Sequence, residues 1–234
     1  MTQQKTIGIL GGLGPLATVE FMRRIMALTP IAAEEDHLHL IVDCNPKVPS
    51  INNAALTGGT EPLPHLVAGL QRLEQAGADL LVMVCNAAHM FEPQLRTAAN
   101  IPFISMVEST AQMLVETYPK LECVGVLATD GCLEARIYQR ELARRGIHAV
   151  QLDGAHLAAF MAAIARIKAG QLDSPSKQML LASIASLTEA GAQAIILGCS
   201  EVGLLVSQGD CEPPLLDPTE CLAAATVRAA LAPS

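Results

Sequence analysis

Apolar residues along this chain fall into two alternating patterns. Short apolar runs at Thr6–Leu10, His39–Asp43, Leu80–Val84, Phe103–Ser105, Cys123–Leu127, His148–Leu152, Ala194–Leu197 and Pro214–Leu216 predict strands. Longer stretches with helical spacing predict helices over Pro15–Leu28, Leu63–Ala76, Phe91–Ala99, Glu108–Thr117, Cys132–Arg145, His156–Ala169, Ser176–Ala190 and Thr219–Leu231. Strands alternating with helices predict an α/β architecture with parallel sheets.

The pattern also repeats. Ala76-Gly-Ala-Asp-Leu-Leu-Val-Met-Val-Cys85-Asn86 reads like Ala190-Gly-Ala-Gln-Ala-Ile-Ile-Leu-Gly-Cys199-Ser200. Gly8-Ile-Leu-Gly-Gly-Leu-Gly14 echoes Gly125-Val-Leu-Ala-Thr-Asp-Gly131, and Met106-Val-Glu-Ser-Thr110 loosely echoes Leu215-Leu-Asp-Pro-Thr219. Three echoes in one order predict two similar lobes: residues 1–110, joined by the C-terminal helix 215–234, and residues 111–214. The period is too long for a solenoid, so the reading is a duplicated domain.

Composition narrows the class. Of the 234 residues, 51% are hydrophobic and only 16% charged, enough for a large core. Aromatics are 3%, so the core is aliphatic and suits helices on a buried parallel sheet. The net charge of −8, with no Lys/Arg run, argues against a nucleic-acid surface. No apolar run reaches membrane-spanning length. Seven cysteines, an odd number, follow a polar start, Met1-Thr-Gln-Gln-Lys5, with no secretory signal; this predicts a cytoplasmic protein with reduced thiols. Without a CxxC pair, no metal site is expected.

Two of those cysteines carry candidate chemistry. Cys85 and Cys199 sit at matched positions, each after a strand and before an expected helix start. Ligands of parallel sheets collect beyond the strands' carboxyl ends, and helix N-termini there favour a thiolate. One thiolate and one thiol on opposed walls can remove a proton from one face of a carbon and return one to the other. Cys44, Cys123, Cys211 and Cys221 read as small core residues.

At these residues the chain resembles the aspartate/glutamate/hydantoin racemase superfamily, in its amino-acid racemase branch, over nearly its whole length. The family's glycine-rich opening is similar to Ile7-Gly-Ile-Leu-Gly-Gly-Leu-Gly-Pro-Leu-Ala-Thr18, its Cys-Asn-Thr-Ala-His motif to Cys85-Asn-Ala-Ala-His89, and its Leu-Gly-Cys-Thr-Glu motif to Leu197-Gly-Cys-Ser-Glu201. The resemblance implies two lobes related by a pseudo-twofold, an active site between them, a homodimer, and no cofactor such as pyridoxal phosphate. It implies racemization of an amino acid, aspartate or glutamate, with Cys85 and Cys199 as the acid–base pair. Gly12, Leu13, Asn86, Ala87 (through its backbone), Thr129 and Ser200 would contact the substrate, and Lys168 would meet a side-chain carboxylate. Position 87 carries Ala where the family carries Thr. Where relatives carry an arginine for the distal carboxylate, this chain has Ile51 or Asn52, with Lys47 nearby as a point charge.

Other readings remain open from the residues alone. His89 either tunes Cys85 or bonds to backbone, and Glu201 either caps a helix or buffers Cys199. The Arg23-Arg24 pair reads as a solvated helix face. Broad-specificity racemase, hydantoin racemase and maleate isomerase fit the same two cysteines, and a silent amino-acid binder fits the fold. Gly12-Leu-Gly-Pro-Leu-Ala17 loosely fits a dinucleotide fingerprint with Asp43 as its acid, implying a nicotinamide-dependent oxidoreductase. Asp43 lies farther along than the ~20 residues usual for that acid.

Overall fold

The computed structural model describes residues 4–233. The polar start read at residues 1–3 lies outside them. Among the described residues eight strands form, close to their expected bounds: β1 (Ile7–Gly11), β2 (Leu40–Cys44), β3 (Leu80–Met83), β4 (Phe103–Ile104), β5 (Cys123–Val126), β6 (His148–Gln151), β7 (Ala194–Ile196) and β8 (Leu215–Leu216). They build two all-parallel sheets, ordered β2-β1-β3-β4 and β6-β5-β7-β8. The second order repeats the first strand for strand.

The repeat extends to packing. A Cβ on Gly8 would fall 2.8 Å from Ala78 Cβ and 3.2 Å from Leu73 Cβ; one on Gly125 would fall 3.1 Å from Ala192 Cβ and 3.2 Å from Leu187 Cβ. Both glycines therefore let a helix end approach the sheet. Both approaches end in Ala-Gly-Ala, with Gly77 and Gly191 in the left-handed region at φ 95° and 96°. A left-handed glycine at that point is a normal helix stop.

The helices are α1 (Pro15–Leu28), α2 (Ile51–Thr57), α3 (Pro62–Gln75), α4 (Glu92–Ala98), α5 (Met106–Thr117), α6 (Asp130–Glu134), α7 (Ile137–Arg144), α8 (Gly154–Lys168), α9 (Ser174–Glu189) and α10 (Pro218–Leu231). Among the described residues none is long and apolar enough to cross a membrane. One face of the first sheet is covered by α3, through Leu66, Leu70 and Leu73. Phe21 and Ile25 of α1 cover the other, together with Leu222, Val227 and Ala230 of α10. In the second sheet, α8 and α9 cover one face. Tyr138 and Leu142 of α7 cover the other, with Val107 and Leu114 of α5. The helix that follows each sheet's last strand thus fills the core of the other sheet. Ser105 and Asp217 cap these two helices with their side chains. The third echo is therefore real, but Phe103-Ile104 matches Leu215-Leu216, a different register from that read in sequence.

Four local expectations change. α2 forms where no helix is predicted. The helix expected over Cys132–Arg145 breaks at Arg136, whose φ of 52° lies in the left-handed region, and restarts as α7. The residues after Cys85 and Cys199 form short 3-10 turns, Ala87–Phe91 and Val202–Leu204, before any α-helix. Arg24 is not solvated: it is largely buried and paired to Asp217 at 2.7 Å, tying α1 to the start of α10.

Candidate active site

Between the two lobes lies a cavity of about 310 Å³. Loops beyond the strands' carboxyl ends form most of it, as expected for parallel sheets. Cys85, Asn86 and Ala87 follow β3, and Cys199, Ser200 and Glu201 follow β7. Gly12 and Leu13 follow β1, Asn52 opens α2, Thr129 precedes α6, and Lys168 ends α8. All of these candidates line the one cavity.

Two candidates do not. Lys47 is exposed in the turn after β2 and lies outside the lining, because its N–H closes a turn on Asn45 Oδ1 at 3.0 Å. His89 is buried behind Cys85. Met106 N–H donates to His89 Nε2 at 3.0 Å, so Nε2 carries no proton, and Nδ1–H donates to the Cys85 carbonyl at 2.8 Å. Burial holds this imidazole below the usual histidine range, as a neutral side chain. His89 therefore fixes the Cys85 turn to the start of α5.

The two thiols differ in their surroundings. Burial pushes Cys85 up to about 11; backbone N–H groups of Ala88 and Ala87 pull it down, Glu201 adds to the rise and Lys168 opposes it. Burial also holds Cys199 well above the ordinary thiol range, reinforced by the Glu201 carboxylate, to which its S–H donates at 3.0 Å. The expected helix-dipole activation is thus overridden: a 3-10 turn of a few residues supplies little dipole, and desolvation favours the neutral thiol.

Glu201 is only 7% exposed. It accepts from Ser200 Oγ at 3.4 Å and faces Lys168 Nζ at 3.7 Å. Burial draws Lys168 down, but Glu201 and both sulfurs outweigh it, so its ammonium is held above the usual lysine value. Glu201 also reaches Gly14 of the other lobe, where an added Cβ would fall 2.8 Å from Oε1. Asn52 bridges the lobes as well: its amide donates to Asp130 Oδ1 at 2.8 Å and its oxygen accepts Gly131 N–H at 3.0 Å.

Sequence reasoning missed several neighbours. With Ile51, already marked by the absent family arginine, Val48, Met161, Ile164 and Ala165 give part of the cavity an apolar wall. The last three lie one helical turn or two before Lys168, so helix spacing from that lysine signals them. Gly14, Asp130 and Tyr138, whose hydroxyl donates to Asn86 Oδ1, had no such signal. The dinucleotide reading loses its residues. Gly12 N–H donates to Thr18 Oγ1 at 2.9 Å, and Asp43 pairs with Arg72 at 2.7 Å, so neither is free for a nucleotide. Cys44 is exposed, and Cys123 and Cys211 are only partly buried, so of the four cysteines read as core only Cys221 is fully enclosed.

The sequence model of the Asp/Glu/hydantoin racemase family matches residues 10–226. The broad specificity amino-acid racemase RacX of Bacillus subtilis (strain 168) is 27% identical over 232 residues, covering 97% of this chain and 98% of that protein. The aspartate racemase of Picrophilus torridus superposes with a TM-score of 0.86 at 26% identity, over 97% of this chain and 94% of that one. The glutamate racemase of Francisella tularensis shares the fold at a TM-score of 0.71 and 15% identity, over 95% and 80%.

Proposed function

Because the chain belongs to the Asp/Glu/hydantoin racemase family, we propose that it is an amino-acid racemase in which Cys85 and Cys199 move the α-proton without pyridoxal phosphate. One observation carries this reading: two thiols, each beyond the carboxyl end of the third strand of its own sheet, line a single cavity. Inversion at carbon needs a base at one face and an acid at the other. One sulfur, as thiolate, takes the α-proton, and the C–H electron pair passes into the substrate carboxylate. The other S–H then gives its proton to the opposite face and becomes the thiolate. In the reverse direction the two sulfurs exchange roles.

Asn86, Ser200 and the Ala87 backbone serve the α-carboxylate and ammonium, while Gly12, Leu13 and Thr129 close around them. The substrate ammonium, entering beside raised thiols, adds the positive charge that favours a thiolate. Aspartate or glutamate is the substrate, with its distal carboxylate on Lys168. A second reading is broader specificity. It is favoured by the apolar wall and by Lys168, which among the described residues is the one Lys or Arg lining the cavity and already faces Glu201. A cytoplasmic homodimer accompanies either reading; Leu16, Val19 and Met26 lie exposed at helical spacing on α1, and the cysteines are unpaired.

The test is a panel of L- and D-amino acids, free of pyridoxal phosphate, followed by chiral chromatography. Interconversion is expected, and Cys85→Ala or Cys199→Ala should each reduce it by several orders of magnitude. Cys123→Ala should leave turnover intact. Near-normal turnover in either cavity variant would refute the two-thiol reading.

A further inference from the structure

We infer that Tyr138 is a positioning residue of this site: its hydroxyl holds the Asn86 amide so that the amide nitrogen is presented to the carboxylate of the bound amino acid. The inference rests on the reading of Asn86 as a substrate contact.

Tyr138 belongs to the second lobe, in the first turn of α7, and is fully buried. Its ring sits in the aliphatic core among Val124, Val126, Ala194 and Ile196, where phenylalanine would fit without a polar group to satisfy. Its hydroxyl instead crosses to the first lobe and donates to Asn86 Oδ1, next to Cys85. The same ring lies against Gly198, where an added Cβ would be 3.5 Å from Tyr138 Cε2, one residue before Cys199. One side chain thus touches both cysteine motifs.

Asn86 supplies the second observation. It is only 3% exposed and lines the cavity, yet its Nδ2 is buried with no partner in the protein. An orphaned buried donor is unfavourable unless something completes it. With Oδ1 engaged by the Tyr138 hydroxyl, turning the amide over would cost that hydrogen bond. The nitrogen is left unpaired beneath the cavity wall that Asn86 helps to form, so an acceptor arriving in the cavity reaches it as the wall gives on binding. The α-carboxylate, common to every amino acid, is such an acceptor. The hydroxyl therefore acts through Asn86 and should affect substrates alike, whatever their side chain.

The experiment is Tyr138→Phe, with KM and kcat measured for one acidic and one neutral amino acid and Tm recorded alongside. Loss of one fixed hydrogen bond predicts a rise in KM of about tenfold for both substrates, with a smaller change in kcat. Added to Asn86→Ala, it should raise KM no further, because the group it positions is gone. Additive effects, or an unchanged KM, would overturn the inference. If Tyr138→Phe does not fold, Asn86→Asp keeps the acceptor for Tyr138 and removes the donor. Its affinity for amino acids, measured by calorimetry, should fall at least as far, and wild-type affinity there would overturn the inference. Wild-type protein that racemizes no amino acid would overturn the functional reading and this inference together. Turnover with unchanged KM in Tyr138→Phe overturns the inference alone.

Discussion

The S–H of Cys199 donates to Glu201 Oε2 at 3.0 Å, and the same carboxylate faces Lys168. A thiol bonded to a carboxylate gives up its proton reluctantly. Removing that charge should lower both thiols, since Glu201 raises each. The rise of kcat/KM with pH, which reports the free enzyme, should therefore move to lower pH in Glu201→Gln and to higher pH in Lys168→Met. Gly14→Ala, whose new Cβ would crowd Oε1, should mimic Glu201→Gln in part. Profiles superimposable on wild type would dismiss Glu201 as the controlling charge.

The two sulfurs should serve opposite enantiomers. In deuterated water, deuterium should enter the α-carbon from either starting enantiomer. Residual exchange in Cys85→Ser should favour one enantiomer, and in Cys199→Ser the other. Exchange of the same handedness in both variants would leave only one catalytic cysteine.

Lys168 is the residue to question for substrate choice. If it meets a distal carboxylate, Lys168→Met should raise KM for aspartate or glutamate at least tenfold more than for a neutral amino acid, about the worth of one charged hydrogen bond. A uniform increase would favour the broad-specificity reading. Arginine at position 52 is a poor way to gain diacid preference, because Asn52 already bonds Asp130 and Gly131 across the lobes.

His89→Ala should destabilise the protein by about 1–3 kcal/mol, because Met106 N–H loses its acceptor in a buried setting. The fold requires the neutral imidazole, so its folded pKa is depressed. Its contribution is complete above the ordinary histidine range and is lost as pH falls below that range. Denaturant titrations of wild type and His89→Ala should therefore converge in acid. A gap that persists unchanged would mean that the imidazole charges without penalty.

The strands, the duplicated design and most of the cavity were legible because glycine and cysteine mark them. Gly77 and Gly191 end helices, and Cys85 and Cys199 follow those glycines at equal spacing. What escaped lacked such marks. Arg136 occupies a left-handed stop where glycine is usual, so the pattern reads straight through the break before α7. Residues 51–57 begin with Ile-Asn-Asn after Pro46 and Pro49, weak helix formers; α2 forms because Ser50 caps it, Gly58 stops it and Asn52 anchors it to α6. The thiol environment was misread for a different reason. Desolvation depends on what the opposite lobe brings, and no local sequence encodes that.

The crossed packing of α5 and α10 bears on how the molecule is made. Translation delivers β1, β3 and α1 early, but one side of their core waits for Leu222, Val227 and Ala230, which follow almost everything else. On the ribosome, Ile9 and Phe21 stay partly uncovered until α10 emerges. That face of the first sheet stays open until α10 docks on it, so chains truncated before α10 should be degraded or aggregate rather than accumulate as a stable first lobe.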